Sequence, residues 1–169
     1  MYVVTLTILV FGVLLVESGR AARNERTQRA RGGIEPPGDV YVLMRVAYPA
    51  AFLAMLAEGF LRGRPAPWLV ASGAALFVLA KALKWWAISA LGQAWTFRVI
   101  VVRGAALAVS GPYRFIRHPN YVAVVGELVA IALLCGARVT GPAAVAAFAL
   151  LILRRVVVEN RALDAILRG

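Results

Sequence analysis

Residues 111–135 read GPYRFIRHPNYVAVVGELVAIALLC. A short polar run ends in Arg117-His118-Pro119-Asn120, and Tyr121–Cys135 then carries Glu127 as its one charge. No alternation of period two runs through this segment, so a strand of a membrane barrel fits it poorly. A continuous apolar block entered through a proline instead reads as a membrane helix, about Asn120–Cys135.

Four further blocks of the same kind lie outward from it. Met1 to about Val16 is uncharged and lacks the basic start and small-residue cleavage site of a signal peptide, so it reads as a retained anchor. Tyr41–Leu61 carries Arg45 and Glu58. Trp68–Leu91 carries Lys81 and Lys84, which are expected to snorkel to the interface. The last block runs from about Pro142 to Leu153 and is followed by a charged amphipathic tail, Arg154–Gly169. Between blocks, Glu17–Asp39 is expected in water or at the interface. Trp85, Trp86 and Trp95 fit an interfacial aromatic belt, and Val99–Val102 reads as a short extended or re-entrant piece.

Composition agrees. The 169 residues suit a single domain over 1–169, and at 62% hydrophobic and 16% charged a water-soluble globule is excluded. The net charge of +11 does not imply nucleic acid, because the basic residues flank apolar blocks and suit anionic lipid headgroups. Cys135 alone cannot form an intrachain disulfide, and one cysteine with one histidine leaves no zinc ligand set. The reading is an all-α polytopic membrane protein with five transmembrane helices.

Charge sets the expected orientation. The first and third loops, with residues at their edges, and the tail hold sixteen of the nineteen basic residues, leaving Arg62, Arg64 and Arg138 opposite. The positive-inside rule then places the N-terminus outside and the C-terminus in the cytoplasm.

That topology brings two polar segments to one side, Gly111–Tyr121 and Arg154–Leu163. Pro119 suits the first position of a helix, with His118 just ahead of it. The helix N-terminus, with Arg114 and Arg117 nearby, suits an anionic group. On the residues alone, His118 reads either as a helix cap or as a ligand contact. Arg155 and Glu159 share a helical face and read either as an ordinary surface pair, worth about 0.3–0.5 kcal/mol, or as a site. Glu127, inside a span, must be partnered or functional.

Gly-Pro-Tyr-Arg-Phe-Ile-Arg-His-Pro-Asn-Tyr with Gly126-Glu127 resembles the signature of the isoprenylcysteine carboxyl methyltransferase family, part of a wider group with phospholipid methyltransferases and some sterol reductases. That family's second signature is an Arg-hydrophobic-x-x-Glu-Glu-x-x-Leu run after the last span. Arg155–Leu163 resembles it, with Asn160 in place of the second Glu. The resemblance covers about Leu91–Leu163. Glu17–Glu35, with its Arg-Asn-Glu-Arg centre and Gly-Gly, followed by Tyr41-x-x-Met44, more weakly resembles a bacterial branch often associated with type III polyketide synthases, whose members methylate alkylpyrones or alkylresorcinols.

The resemblance implies methyl transfer from S-adenosylmethionine to an oxygen, carboxylate or phenol/enol, of a lipophilic acceptor entering from the bilayer. It implies a cofactor-binding set of Tyr113, Arg117, His118, Pro119, Asn120, Tyr121, Glu127, Glu159 and Asn160. His118, Arg117 and the helix N-terminus would receive the donor carboxylate, and Glu159 and Asn160 its amine and hydroxyls. Tyr113 and Tyr121 either line the adenine or sulfonium region or anchor the interface. Arg155 and Glu159 are the expected catalytic pair, as electrostatic stabiliser and base, with no metal. The rival readings are a phospholipid N-methyltransferase, an NADPH-dependent membrane reductase and a non-enzymatic scaffold.

Overall fold

The computed structural model describes residues 1–104 and 108–167, with side chains as far as Asp164. Arg168, counted above toward the charge asymmetry, and Gly169 lie outside the described residues. Five α-helices make up most of the chain: α1 (Tyr2–Ala30), α2 (Tyr41–Arg62), α3 (Pro67–Leu91), α4 (Pro119–Cys135) and α5 (Thr140–Leu167). Two 3-10 turns, Gly92–Ala94 and Gly111–Arg114, bracket the long connection from α3 to α4. The chain is an all-helical integral membrane protein.

The five-span expectation holds in a modified form. Four helices (α1, α2, α3 and α5) are long and apolar enough to cross a membrane, whereas α4 is a shorter apolar helix of 17 residues. At 1.5 Å per residue it extends about 26 Å, against a hydrocarbon thickness near 30 Å. It still runs from the α3–α4 connection to the α2–α3 turn, where Gly136 packs on Pro65.

Two boundaries differ more. The first apolar block does not end at Val16, because α1 continues to Ala30, and the α5 helix continues through the expected tail. No proline interrupts either stretch, so the backbone goes on hydrogen-bonding until Gly32, at φ +80°, supplies the first turn-forming position after α1. Glu17 is therefore not a loop residue in water. It is fully buried in mid-helix.

Its partners correct a second expectation. Lys81 and Lys84 do not snorkel outward. Lys84 Nζ lies 2.7 Å from Glu17 and 3.2 Å from Glu127, while Lys81 Nζ lies 2.8 Å from Glu17 and 3.0 Å from Glu127. The Tyr48 hydroxyl donates to Glu127 at 2.5 Å. Two cations and two anions balance, so burial is tolerated where a lone charge would be expelled. The cluster ties α1, α2, α3 and α4 together at one level.

Helix α4 forms the centre and packs on α2, α3 and α5. Ala123, Leu128, Ala130, Ile131 and Leu134 are all buried there, beside Cys135. Close approach is set by Gly59 and Gly73, where a Cβ would stand 2.8–3.0 Å from backbone and side-chain atoms of α4. Small residues let membrane helices approach in this way, because dispersion contact rather than water exclusion drives their association. At the far end, Glu58 of α2 accepts the N–H groups of Arg138, Val139 and Thr140 and so caps α5.

Candidate active site

The near end of the bundle is organised by the connection after α3. Trp95 is 2% exposed, so it belongs to the interior rather than to an interfacial belt. Its carbonyl accepts from Asn24 Nδ2 at 2.7 Å and its ring packs edge-on against Phe97. Its indole N–H points to Asn120 Oδ1 at 3.4 Å. Asn120 thereby links the start of α4 to this connection.

Residues 96–102 then run across the helix ends. Val101 pairs with Ile34 in an isolated antiparallel bridge, so the stretch read as extended is extended, and its partner is the α1–α2 loop. Arg98 reaches Glu35 at 2.7 Å and Glu25 at 3.1 Å and lies over the Tyr41 ring at 4.3 Å. Burial works against ionisation of Glu35, but hydrogen bonds from Arg98 and Arg29, with their charges, outweigh it and hold the carboxyl below its ordinary range.

Beneath this strap lies a cavity of about 790 Å³. Its polar end takes side chains from both signature segments, with Tyr113, Arg117, His118, Asn120 and Tyr121 facing Arg155, Glu159 and Asn160. Its other walls are mostly apolar, from Leu14 and Ala22 of α1, Pro49 of α2, Val124 of α4 and Phe148 of α5, with Glu25, Gln28 and Arg45 and, from the ion cluster, Tyr48 and Lys84 also reaching the wall.

The polar residues form a chain of contacts. The Tyr121 hydroxyl donates to Glu159 Oε2 at 2.7 Å and accepts from Arg155 Nε at 2.9 Å. His118 stacks on the Tyr121 ring, with centroids 5.5 Å apart, and its Nδ1 lies 3.7 Å from Glu159. It occupies the N-cap of α4 without a side-chain capping bond, which leaves the imidazole to the cavity. Arg155 is buried. It donates to the Phe97 carbonyl, contacts Met44 Sδ at 3.6 Å and faces Asp39 at 3.6 Å. Burial first, and then the negative charge of Glu159, raise the Tyr113 pKa, so its phenol stays protonated at neutral pH.

Two expected site residues stand off the cavity wall. Pro119 is buried as the first residue of α4, and Glu127 is turned into the ion cluster, where both lysines claim it. In the other direction, residue patterns gave no notice of Asp39, Met44, Phe97 and Trp95. Asp39 bears the marks of a helix-start residue, since Oδ1 accepts the Tyr41 N–H at 3.1 Å. Nothing local points to its contact with Arg155, 116 positions away.

The family model for isoprenylcysteine carboxyl methyltransferases matches residues 73–165, a region that contains most of α3, all of α4, most of α5 and the signature residues at the polar end of the cavity. The chain belongs to the isoprenylcysteine carboxyl methyltransferase family. An uncharacterized protein of Bacillus subtilis (strain 168), YpbQ, is 32% identical over 137 residues, covering 78% of this chain and 81% of the relative. An uncharacterized protein of Haemophilus influenzae is 24% identical over 143 residues, covering 84% and 83%. No solved structure matches the chain. Family membership supports a membrane methyltransferase, and it groups the chain with bacterial relatives.

Proposed function

We infer that the chain transfers the methyl group of S-adenosylmethionine to an oxygen of a lipophilic acceptor. The observation that carries this reading is one cavity whose polar end is built from both signature segments and whose remaining lining is mostly apolar. Its volume falls in the roughly 300–1,000 Å³ range of small-molecule sites.

The donor set suits the proposed cofactor. His118 and Arg117 offer hydrogen bonds and positive charge to a carboxylate, while Glu159 and Asn160 offer acceptors to an ammonium and hydroxyls. Tyr113 and Tyr121 offer ring surface to an adenine or a sulfonium. When bound, S-adenosylmethionine supplies an electrophilic methyl group on sulfur. The protein's part is alignment and exclusion of water, which a buried cavity under a strap provides. Arg155 presents a fixed positive charge beside an acceptor oxygen that is or becomes anionic. A carboxylate acceptor brings no proton, whereas a phenol or enol would surrender one to Glu159.

The apolar walls suit a hydrocarbon tail drawn from the bilayer, and the basic polar end favours an anionic oxygen over an amine. The excess of arginine at this end survives removal of Lys81 and Lys84 from the count, which supports a cytoplasmic active site in an inner membrane. Purified protein in detergent should move labelled methyl from adenosylmethionine to a prenylated cysteine or an alkylpyrone. Label on phosphatidylethanolamine alone would replace the oxygen acceptor with an amine. Calorimetric binding of NADPH in place of adenosylmethionine would favour reduction, and binding of neither would overturn the enzyme reading.

A further inference from the structure

We propose that Asp39, in the α1–α2 loop and outside the region matched to the family, is a positioning residue for Arg155 and for the strap that closes the cavity. The kinetic part of this proposal rests on the methyl-transfer reading, and the structural part does not.

Three contacts make a closed triangle. Asp39 Oδ2 accepts the Val99 N–H at 3.0 Å. Arg155 donates to the carbonyl of Phe97, two residues earlier. Asp39 Oδ1 and Arg155 Nη1 stand 3.6 Å apart, with side-chain exposures of 2% and 7%. The two charges thus bind the same short piece of backbone, two residues apart, and stand beside one another.

Charge explains why the residue should be an acid. The Arg155 guanidinium is removed from water, so its charge needs a nearby counter-ion. Glu159 reaches it through the Tyr121 hydroxyl rather than directly. Asp39 is the carboxylate within ion-pair distance. With Asp39 in place, Glu159 is left to a ligand in the cavity. Without it, Arg155 would draw Glu159 inward or tilt away from Phe97, moving the positive charge relative to the acceptor oxygen. Displacements of about 1 Å in such a group are enough to cost on the order of a hundredfold in rate.

The same geometry explains the reach of the N-terminal helices into the site. The Ile34–Val101 bridge and the Glu35–Arg98 pair hold the two ends of the overlap, and Asp39 holds its middle beside the chemistry. The α1–α2 loop therefore backs the strap that lines the cavity, rather than serving as a spacer between spans.

Three substitutions separate charge from scaffold. Asp39→Asn deletes the charge opposite Arg155 and keeps a single oxygen, which can accept from the Val99 amide while the Tyr41 amide loses its carboxylate partner. It should fold normally and lower kcat by about tenfold or more, with KM for adenosylmethionine within about twofold of wild type. Asp39→Glu should recover part of that loss. Asp39→Ala should in addition speed hydrogen–deuterium exchange in peptides covering residues 96–102 by about tenfold, leaving peptides of the α4–α5 turn unchanged. Wild-type kcat in Asp39→Asn, or a loss in Asp39→Ala that only tracks the folded fraction, would overturn the positioning role. So would unchanged exchange over residues 96–102. If wild-type protein methylates no acceptor, the methyl-transfer reading fails, and the exchange measurement still decides whether Asp39 holds the strap.

Discussion

Arg155 Nε donates to the Tyr121 hydroxyl at 2.9 Å, and this single oxygen couples the two signature segments. Because the hydroxyl donates its own hydrogen bond to Glu159 at 2.7 Å, its orientation is fixed. Tyr121→Phe removes one atom and severs both bonds while keeping the ring on which His118 stacks. Net loss of a hydrogen bond to a charged group is worth about 1.5–3 kcal/mol, so a fall in kcat/KM of roughly 10- to 100-fold is expected. Methyl-transfer kinetics in detergent would read it, and a change below twofold would show that Arg155 and Glu159 are held without the relay.

The buried cluster of Glu17, Glu127, Lys81 and Lys84 makes a prediction about stability rather than rate. Lys84→Met leaves two carboxylates facing one lysine, and breaking such a buried set typically costs about 3–5 kcal/mol. Adding Glu127→Gln restores neutrality with the Lys81–Glu17 pair still 2.8 Å apart, so the double variant should unfold at a higher temperature than the single one. Thermal unfolding in a fixed detergent compares them. A double variant less stable than Lys84→Met would mean that the cluster is held together by shape rather than by charge balance.

Much of this arrangement can be read from residue order. The apolar blocks mark the helices because a bilayer demands about 20 apolar residues of each. The meeting of His118 and Tyr121 with Arg155 and Glu159 follows from both segments lying at one end of the same hairpin. Of the cluster, residue order shows Lys81, Lys84 and Glu127 within apolar blocks, but not that they meet. What order does not reveal is depth and partner. Val16 looks like an end because a charge follows it, yet Glu17 stays inside once Lys81 and Lys84 meet it. Asp39 to Val99 and Arg155 to Phe97 are bonds to backbone groups, which every residue carries, so no residue pattern announces them.

Glu58 offers a test remote from the site. It accepts three backbone N–H groups at the start of α5 and the Thr140 hydroxyl, and it pairs with Arg62. Removing a helix-capping acceptor costs about 0.5–2 kcal/mol. Glu58→Ala should therefore lower thermal stability while leaving kcat per folded molecule unchanged, since the α2–α3 turn lies at the opposite end of the bundle from the cavity's polar residues. Parallel unfolding and methyl-transfer measurements would check this, and a selective loss of kcat would reveal coupling along α5 that the static contacts do not explain.

Acid should loosen the strap before it unfolds the bundle. Glu35 has a folded pKa below its ordinary value near 4.5, because bonds from Arg98 and Arg29 outweigh the opposing effect of burial. A depressed carboxyl contributes stability that is fully present above the ordinary value and disappears as pH falls through the lower folded value. The window therefore opens below about pH 4.5, with no change expected between about pH 6 and pH 8 from this group. Hydrogen–deuterium exchange, corrected for intrinsic pH dependence, should show peptides over residues 31–38 and 96–102 losing protection in that acid window. Glu35→Gln should lack much of that protection at neutral pH and show a flatter acid response. Equal acid sensitivity in both proteins would assign the effect to another carboxylate of the strap, with Glu25, 3.1 Å from Arg98, the first to substitute.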